Sequence, residues 1–419
     1  MDSQNSSTLI ILSLPPKTFV GLDLVSFNSS PHFQGIATIP FGIHFLYTGT
    51  DASLSIRHGR WLNLTSASPI QVLRWNSDGE TLQVVEQQND QTARNAIAGV
   101  VSNNGRGLVD YAALQNATSE LSLRDGSKES DGTSRSAAGD NEEDSRAEST
   151  DWPSLTAHIS PSLLTRILSP DDWIISSISS APIDTETIPG LSHLEASNAL
   201  HQLPLDLLPI NLKQTWAGGD IGRVRTDRAR DRSWYLGQLI EQAARSPNRD
   251  KAAGAREVLG ELQFCFLMVL TLANYSCLEQ WKRLLSVFLT CRTALDEVEG
   301  YFVQVVKVLH LQIKHVDDVE GGLFELRDES GSAWLRTLWA RFRTLVDDDA
   351  ENKGKKESLR KEVDALQRLF EEKYGWQSER DILRRGMLEL EDGERVEVTM
   401  HGVDEDEETG EYAPVIVET

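Results

Sequence analysis

The stretch VLGELQFCFLMVLTLANYSCLEQWKRLLSVFL, Val258 to Leu289, decides the fold of the C-terminal half. Within it Trp281, Leu284, Leu285, Phe288 and Leu289 recur at i, i+3, i+4, i+7 and i+8, which draws one apolar stripe along a helix. The preceding ELQFCFLMVL is apolar nearly all round, so it belongs at the centre of a helical domain with Phe264 and Trp281 in its core. The most apolar window, Leu262 to Tyr275, is 14 residues long, which suits a buried helix and falls short of a bilayer span. Further stripes carry Trp234/Leu236/Leu239/Ile240, Phe302/Val305/Val306/Leu309/Ile313, Trp334/Leu335/Leu338/Trp339/Phe342 and Leu359/Val363/Leu366/Phe370. Together they predict about six antiparallel helices over residues 223–376.

Toward the N-terminus the period changes. From Thr8 to about Val85, short runs such as TLIILSL, FVGLDLVSF, GIATIPFGIHFLYT and IQVLRW alternate with PP, NSSP, TGTD and NSDGE turn signals. Residues 1–120 therefore read as a β-rich domain of sandwich or barrel type, and the whole chain as α+β. Residues 121–151, Ser-rich and acidic, lack the apolar content that would offset the entropy of ordering, and read as a disordered insertion. Residues 152–222 begin with a short helical pattern in which Ser160 is the N-cap and Pro161 the first helical position, and continue as an extended linker.

The net charge is −23, and residues 386–419 carry twelve carboxylates against one arginine. Such a chain is repelled by phosphate backbones, which disfavours nucleic acid as a direct partner and favours a basic protein surface. Cys265, Cys277 and Cys291 form no CxxC pair and have no histidine cluster beside them, so they read as reduced core thiols of a cytosolic or nuclear protein. MDSQNSSTLIILSLPP lacks the basic leader region of a secretory signal, and no membrane association is expected.

Chemistry is hard to find. His32, His44 and His58 invite a metal-dependent β-domain enzyme, but no HxD or HxE pair accompanies them; His44 in IPFGIHFLY reads as a core or edge histidine satisfied by backbone, and His58 in RHGRW reads equally as a turn or a ligand residue. AGGDIGRVR, Ala217 to Arg225, lacks the lysine and hydroxyl of a phosphate-binding loop and reads as a turn. RTDRARDRSWY, Arg225 to Tyr235, holds four arginines and two aspartates. Its plain reading is a solvated helical turn with internal ion pairs, and its functional reading is a site for short acidic peptides, as in a trafficking adaptor. No cofactor is expected.

Residues 377–419 read as an acidic tail ending in a strand. Tyr412, Ala413, Pro414, Val415, Ile416, Val417 and Glu418 follow the run Asp404 to Glu408, and an acidic tether with a β-branched end is suited to strand addition at an exposed sheet edge. Pro414 permits this at an edge and opposes it in a central strand. Pairing with RVEVTM, Arg395 to Met400, or with the chain's own β domain is the competing reading.

PKTFVGLDL (Pro16 to Leu24), FQGIATIPFGIHFLYTG (Phe33 to Gly49), VLRW (Val72 to Trp75), WPSLTAHIS (Trp152 to Ser160), VLGELQFCFL with EQWKRLL (Val258 to Leu285) and YAPVIVE (Tyr412 to Glu418) together resemble the Aar-two family of splicing factors. The resemblance spans nearly the whole chain, and GELQFxF with its downstream WKxLL is its most specific part. It implies a VHS-like helical domain after the β domain, no catalytic activity, and residence in both cytoplasm and nucleus. It also implies a monomer that holds Prp-eight during U-five snRNP assembly, through its RNase H-like and Jab/MPN-like domains, and delays the helicase Brr-two. The segment Tyr412 to Glu418 would then bridge the two Prp-eight domains. Many relatives read IPPG where this chain has Ile39, Pro40, Phe41 and Gly42; Gly42 and His44 are assigned to the β fold.

Overall fold

The computed structural model describes residues 6–50, 56–86, 90–102, 105–115, 151–168, 172–185, 203–244, 250–316, 324, 326, 329–347, 356–376, 385–389 and 395–399. The chain divides into two compact units: residues 1–207 with 260–278, and residues 208–259 with 279–419.

The first unit contains two five-stranded sheets. One has the order β8 (Thr81–Val84), β7 (Ile70–Asn76), β1 (Ser6–Leu12), β4 (Gly35–Pro40), β9 (Leu108–Asp110). The other has the order β10 (Ile174–Ser176), β6 (Arg57–Leu64), β5 (Gly42–Gly49), β2 (Phe19–Leu22), β3 (Val25–Asn28) and is antiparallel throughout. Strand β1 runs parallel to β7 and antiparallel to β4.

Because side chains alternate across a strand, β1 serves two cores. Leu9 and Ile11 join Ile36, Ile39, Leu73, Val20, Leu22, Leu46 and Leu62 between the sheets. Ile10 and Leu12 pack the other way, with Val72, against Ala93, Ala96 and Ile97 of helix α1 (Gln91–Ser102). The β-rich reading of residues 1–120 does not single out this helix. Its apolar positions are mostly alanine and valine, and a weak stripe of small residues gives little periodic signal.

The second sheet is also covered on its outer face. Phe45 and Trp61 lie 4.9 Å apart, and Trp61 continues to Trp152 of α2 (Trp152–Leu155) at 6.1 Å. The ring of Tyr47 covers Gly21, and that of Phe45 covers Gly59; a Cβ at either glycine would sit about 2 Å from ring carbon. Helix α3 (Pro161–Ile167) starts as expected, with the Ser160 hydroxyl accepting from the Leu163 amide at 3.1 Å. Part of the stretch read as linker instead supplies β10, which pairs with β6, and the one-turn helix α4 (Pro182–Thr185).

The second unit contains helices α5 (Gly222–Arg230) and α6 (Ser233–Ala243), the start of α7 (Lys251–Leu272), most of α8 (Tyr275–Phe288), α9 (Thr293–Glu297), α10 (Glu299–His315), α11 (Glu329–Asp347) and α12 (Glu357–Tyr374). Eight helices among the described residues replace the six or so expected. The excess comes from short elements: the basic stretch breaks into α5 and α6 at Asp231, and the five-residue α9 precedes α10. The stripe on α8 is fully buried. Two indoles settle their N–H groups on buried amides, Trp281 on Gln312 and Trp339 on Gln367, each at 2.9 Å. Gly375 ends α12 with φ 65°, the left-handed conformation that glycine adopts without cost, and Trp376 then stacks on Phe370 at 4.6 Å. Within the segment read as an acidic tail, β11 (Arg385–Glu389) pairs antiparallel with β12 (Arg395–Thr399), so the RVEVTM stretch, the competing partner for the chain's end, forms a strand paired with Arg385 to Glu389.

Candidate partner-binding surface

The residues nominated from sequence go to different places. Tyr412, Ala413, Pro414, Val415, Ile416, Val417 and Glu418 lie outside the described residues, as does the insertion 121–150. Gly42 opens β5 with φ 145°, and nothing stands within 4 Å of where its Cβ would be, so conformation and not space calls for glycine. Trp281 is buried in the second unit, edge-on to Phe324 and Trp334. Phe264, assigned from sequence to the helical core, stacks instead on Trp61 of β6 at 5.9 Å, because the C-terminal part of α7 belongs to the first unit.

The three histidines do not converge. In the β5–β6 register His44 pairs with Leu62 while His58 pairs with Thr48, four residues away, about 13 Å along the sheet. His32 is exposed in the loop before β4. Both ring nitrogens of His44 are engaged, Nδ1 with Asp23 Oδ2 at 2.7 Å and Nε2 with the Pro40 carbonyl at 2.8 Å, so neither is free to ligate. Among the described residues no group of three or more His, Cys, Asp or Glu is placed to hold a metal.

Asp23 is the centre of that arrangement, and sequence reasoning passed over it. Besides His44 it accepts from the Tyr111 hydroxyl at 2.6 Å and from the Phe45 amide at 2.9 Å. Burial works to lower the His44 pKa, but the charge and hydrogen bond of Asp23 outweigh it and hold the imidazole above its ordinary value. Burial and the same carboxylate push the Tyr111 hydroxyl far up. A carboxylate inside the apolar run VGLDL was the available signal. The three thiols are buried, and burial raises the pKa of Cys265 and Cys291, which suppresses the reactive thiolate.

The surface with chemical content is the basic stretch. Only the AGGDI part of AGGDIGRVR forms a turn, its GRVR belonging to α5: Asp220 accepts from the Ala217 amide at 2.9 Å and from Arg228 at 2.5 Å. Helix α5 follows, and none of its nine residues is buried. Arg225 lies over the Trp216 ring at 4.6 Å and Arg228 over Trp234 at 4.3 Å. Arg223, 93% exposed, pairs loosely with Asp227 at 3.7 Å. Ile221 is 82% exposed and Val224 50%. The next two residues leave this surface and become structural. Asp231 accepts from the amides of Ser233, Arg292 and Thr293, while Arg232 donates to the Ser286 carbonyl near the end of α8. The stretch is thus an exposed, internally paired arginine helix, as its plain sequence reading has it, followed by a joint at Asp231 and Arg232 that the sequence does not suggest.

Comparison with known proteins adds a family. Residues 5–169 match the family described as AAR2 N-terminal domain, and residues 207–379 the one described as AAR2 C-terminal repeat region. Among curated proteins the chain is 23% identical over 342 residues to Protein AAR2 homolog of Pongo abelii, covering 74% of this chain and 76% of that one. It is also 23% identical to Protein AAR2 homolog of Homo sapiens over 338 residues, with 74% and 76% covered. The same identity holds over 342 residues of the Caenorhabditis elegans homolog, with 74% and 79% covered.

Proposed function

The chain belongs to the AAR2 family, the Aar-two family of the resemblance above, and from that premise we propose that it is a non-enzymatic pre-mRNA splicing factor, an assembly chaperone of the U-five snRNP. In this reading it holds Prp-eight through the RNase H-like and Jab/MPN-like domains in the cytoplasm and delays binding of Brr-two until the particle matures in the nucleus. Its helical half is read as VHS-like.

The observation that carries the proposal is the extent of the match: both AAR2 regions occur, in order, across 5–169 and 207–379. Physical features favour a binding role over a catalytic one. His44 is spent on Asp23 and Pro40, and the thiols are buried. The run Asp404 to Glu408 favours encounter with a basic surface, and Val415 to Val417 favour pairing with a sheet edge on that partner.

The test is binding of the full chain, and of a chain ending at Val403, to the two Prp-eight domains singly and mixed. The proposal expects the truncated chain to keep the RNase H-like domain and to lose the ternary complex. Failure of the full chain to bind the RNase H-like domain would overturn the assembly role, whereas an undiminished ternary complex after truncation would remove the bridging role of Tyr412 to Glu418 alone.

A further inference from the structure

We propose that helix α5 is the docking surface for the chain's own acidic segment, Asp404 to Glu411, which it holds through Arg223, Arg225 and Arg230 when no other partner claims that segment.

The helix itself makes the case for an occupant. Nine residues form only two and a half turns, and an isolated helix that short is marginal in water, because most helical stability in proteins comes from packing an apolar face. Helix α5 has no buried residue, yet leaves Ile221 and Val224 exposed beside its arginines. Arg228 is already committed to Asp220, and Arg223 is only loosely paired. Arg225 and Arg230 have no carboxylate partner among the described residues. Arg225 is nevertheless held in place, since its guanidinium lies over the Trp216 indole and its N–H edge is left for an acceptor. A guanidinium immobilised on a ring loses little further freedom when it takes a carboxylate, so the stacked arginine is a prepared anion clamp.

Charge and dimension identify the occupant. Residues 404–411 hold six carboxylates and no cation, the densest acidic run in the C-terminal segment. On a helix, Arg223 and Arg230 are seven positions apart, which returns them to one face about 10 Å apart. The five acidic residues 404–408, if extended, cover about 13 Å, enough to reach both. Tethering adds an effective concentration of about millimolar, so weak ion pairs suffice without an external ligand. A nucleic acid would instead have to approach a chain of net charge −23 and compete with carboxylates already attached to it.

Hydrogen exchange of residues 222–230 tests the idea in the full chain and in a chain ending at Val403, at low and at physiological salt. A few ion pairs of the surface kind predict about tenfold faster exchange in the truncated chain, with a smaller difference as salt rises. A synthetic peptide of residues 402–412 added to the truncated chain should restore the protection, and the full chain with Asp404, Glu405, Asp406, Glu407 and Glu408 all changed to Lys should behave as the truncated one. Equal exchange in the full and truncated chains overturns the proposal. So does protection that rises with protein concentration, which would put the segment on a second copy, or protection restored by an RNA oligonucleotide but not by the peptide. Prp-eight is absent from every arm, so this outcome is independent of the assembly reading.

Discussion

Arg166 of α3 and Glu261 of α7 close an ion pair at 2.6 Å with both side chains buried. Removing one partner from such a pair strands the other charge away from water. Glu261→Ala is expected to cost about 3–5 kcal/mol, while the double replacement by methionine, Arg166→Met with Glu261→Met, should cost far less because no charge is left behind. Chemical denaturation midpoints of the two variants decide it, and equal losses would show that the pair acts only through packing.

His44 makes the β unit sensitive to pH. Its pKa in the folded protein is raised, so the stability it contributes is fully present below about pH 6.5, the unfolded value, and fades as the pH rises through the folded one. The stability difference between the native chain and His44→Gln should therefore be largest in mild acid and shrink toward alkaline pH. A difference that does not change with pH would mean that the imidazole stays neutral throughout.

Two helical glycines should respond in opposite directions. At Gly260 a Cβ would stand 2.3 Å from the His158 carbonyl oxygen, against backbone that cannot swing aside. Gly260→Ala is expected to lose about 1–3 kcal/mol. Gly237, inside α6, has nothing within 4 Å of its Cβ site, and Gly237→Ala should gain about 0.5–1 kcal/mol from helix propensity alone. Thermal melts of both variants read the sign directly.

Asp231 ties two helix starts together, accepting from Ser233 of α6 and from Arg292 and Thr293 at α9. Asp231→Ala should cost about 2 kcal/mol, in the upper range for loss of a cap. Burial raises its pKa, but the hydrogen bonds from Ser233, Thr293 and Arg292 prevail and hold the carboxyl below its usual value. Its contribution is thus present above about pH 3.9 and is lost as the pH falls through the lower native value. Acid unfolding of the variant should accordingly be less steep than that of the native chain.

The elements most legible in the sequence were those with a strong period. The α8 stripe could be read because five large apolar residues repeat at helical spacing, and β1 because TLIILSL is buried on both faces. What escaped depends on contacts distant in sequence. Asp23 meets His44 only through the β2–β5 register, Phe264 meets Trp61 across some two hundred residues, and the break at Asp231 exists because Thr293 lies in reach of its carboxylate. The solvated, internally ion-paired character of the arginine helix was visible as composition, but the stacking of Arg225 on Trp216 and of Arg228 on Trp234 was not, since a charge run does not show which rings will lie beside it.

Strand β1 lies third of five in its sheet, parallel to β7 and antiparallel to β4. It is synthesised before both neighbours, and β7 follows it only after more than fifty further residues, several seconds at a translation rate of about 5–20 residues per second. Strand β4, Gly35 to Pro40, emerges earlier and can cover one edge of β1, but until β7 follows the other edge of Leu9, Ile10 and Ile11 stays open, a ready template for another nascent chain. A factor read here as guarding a partner's assembly would thus itself need shielding on the ribosome until Ile70 to Asn76 has emerged.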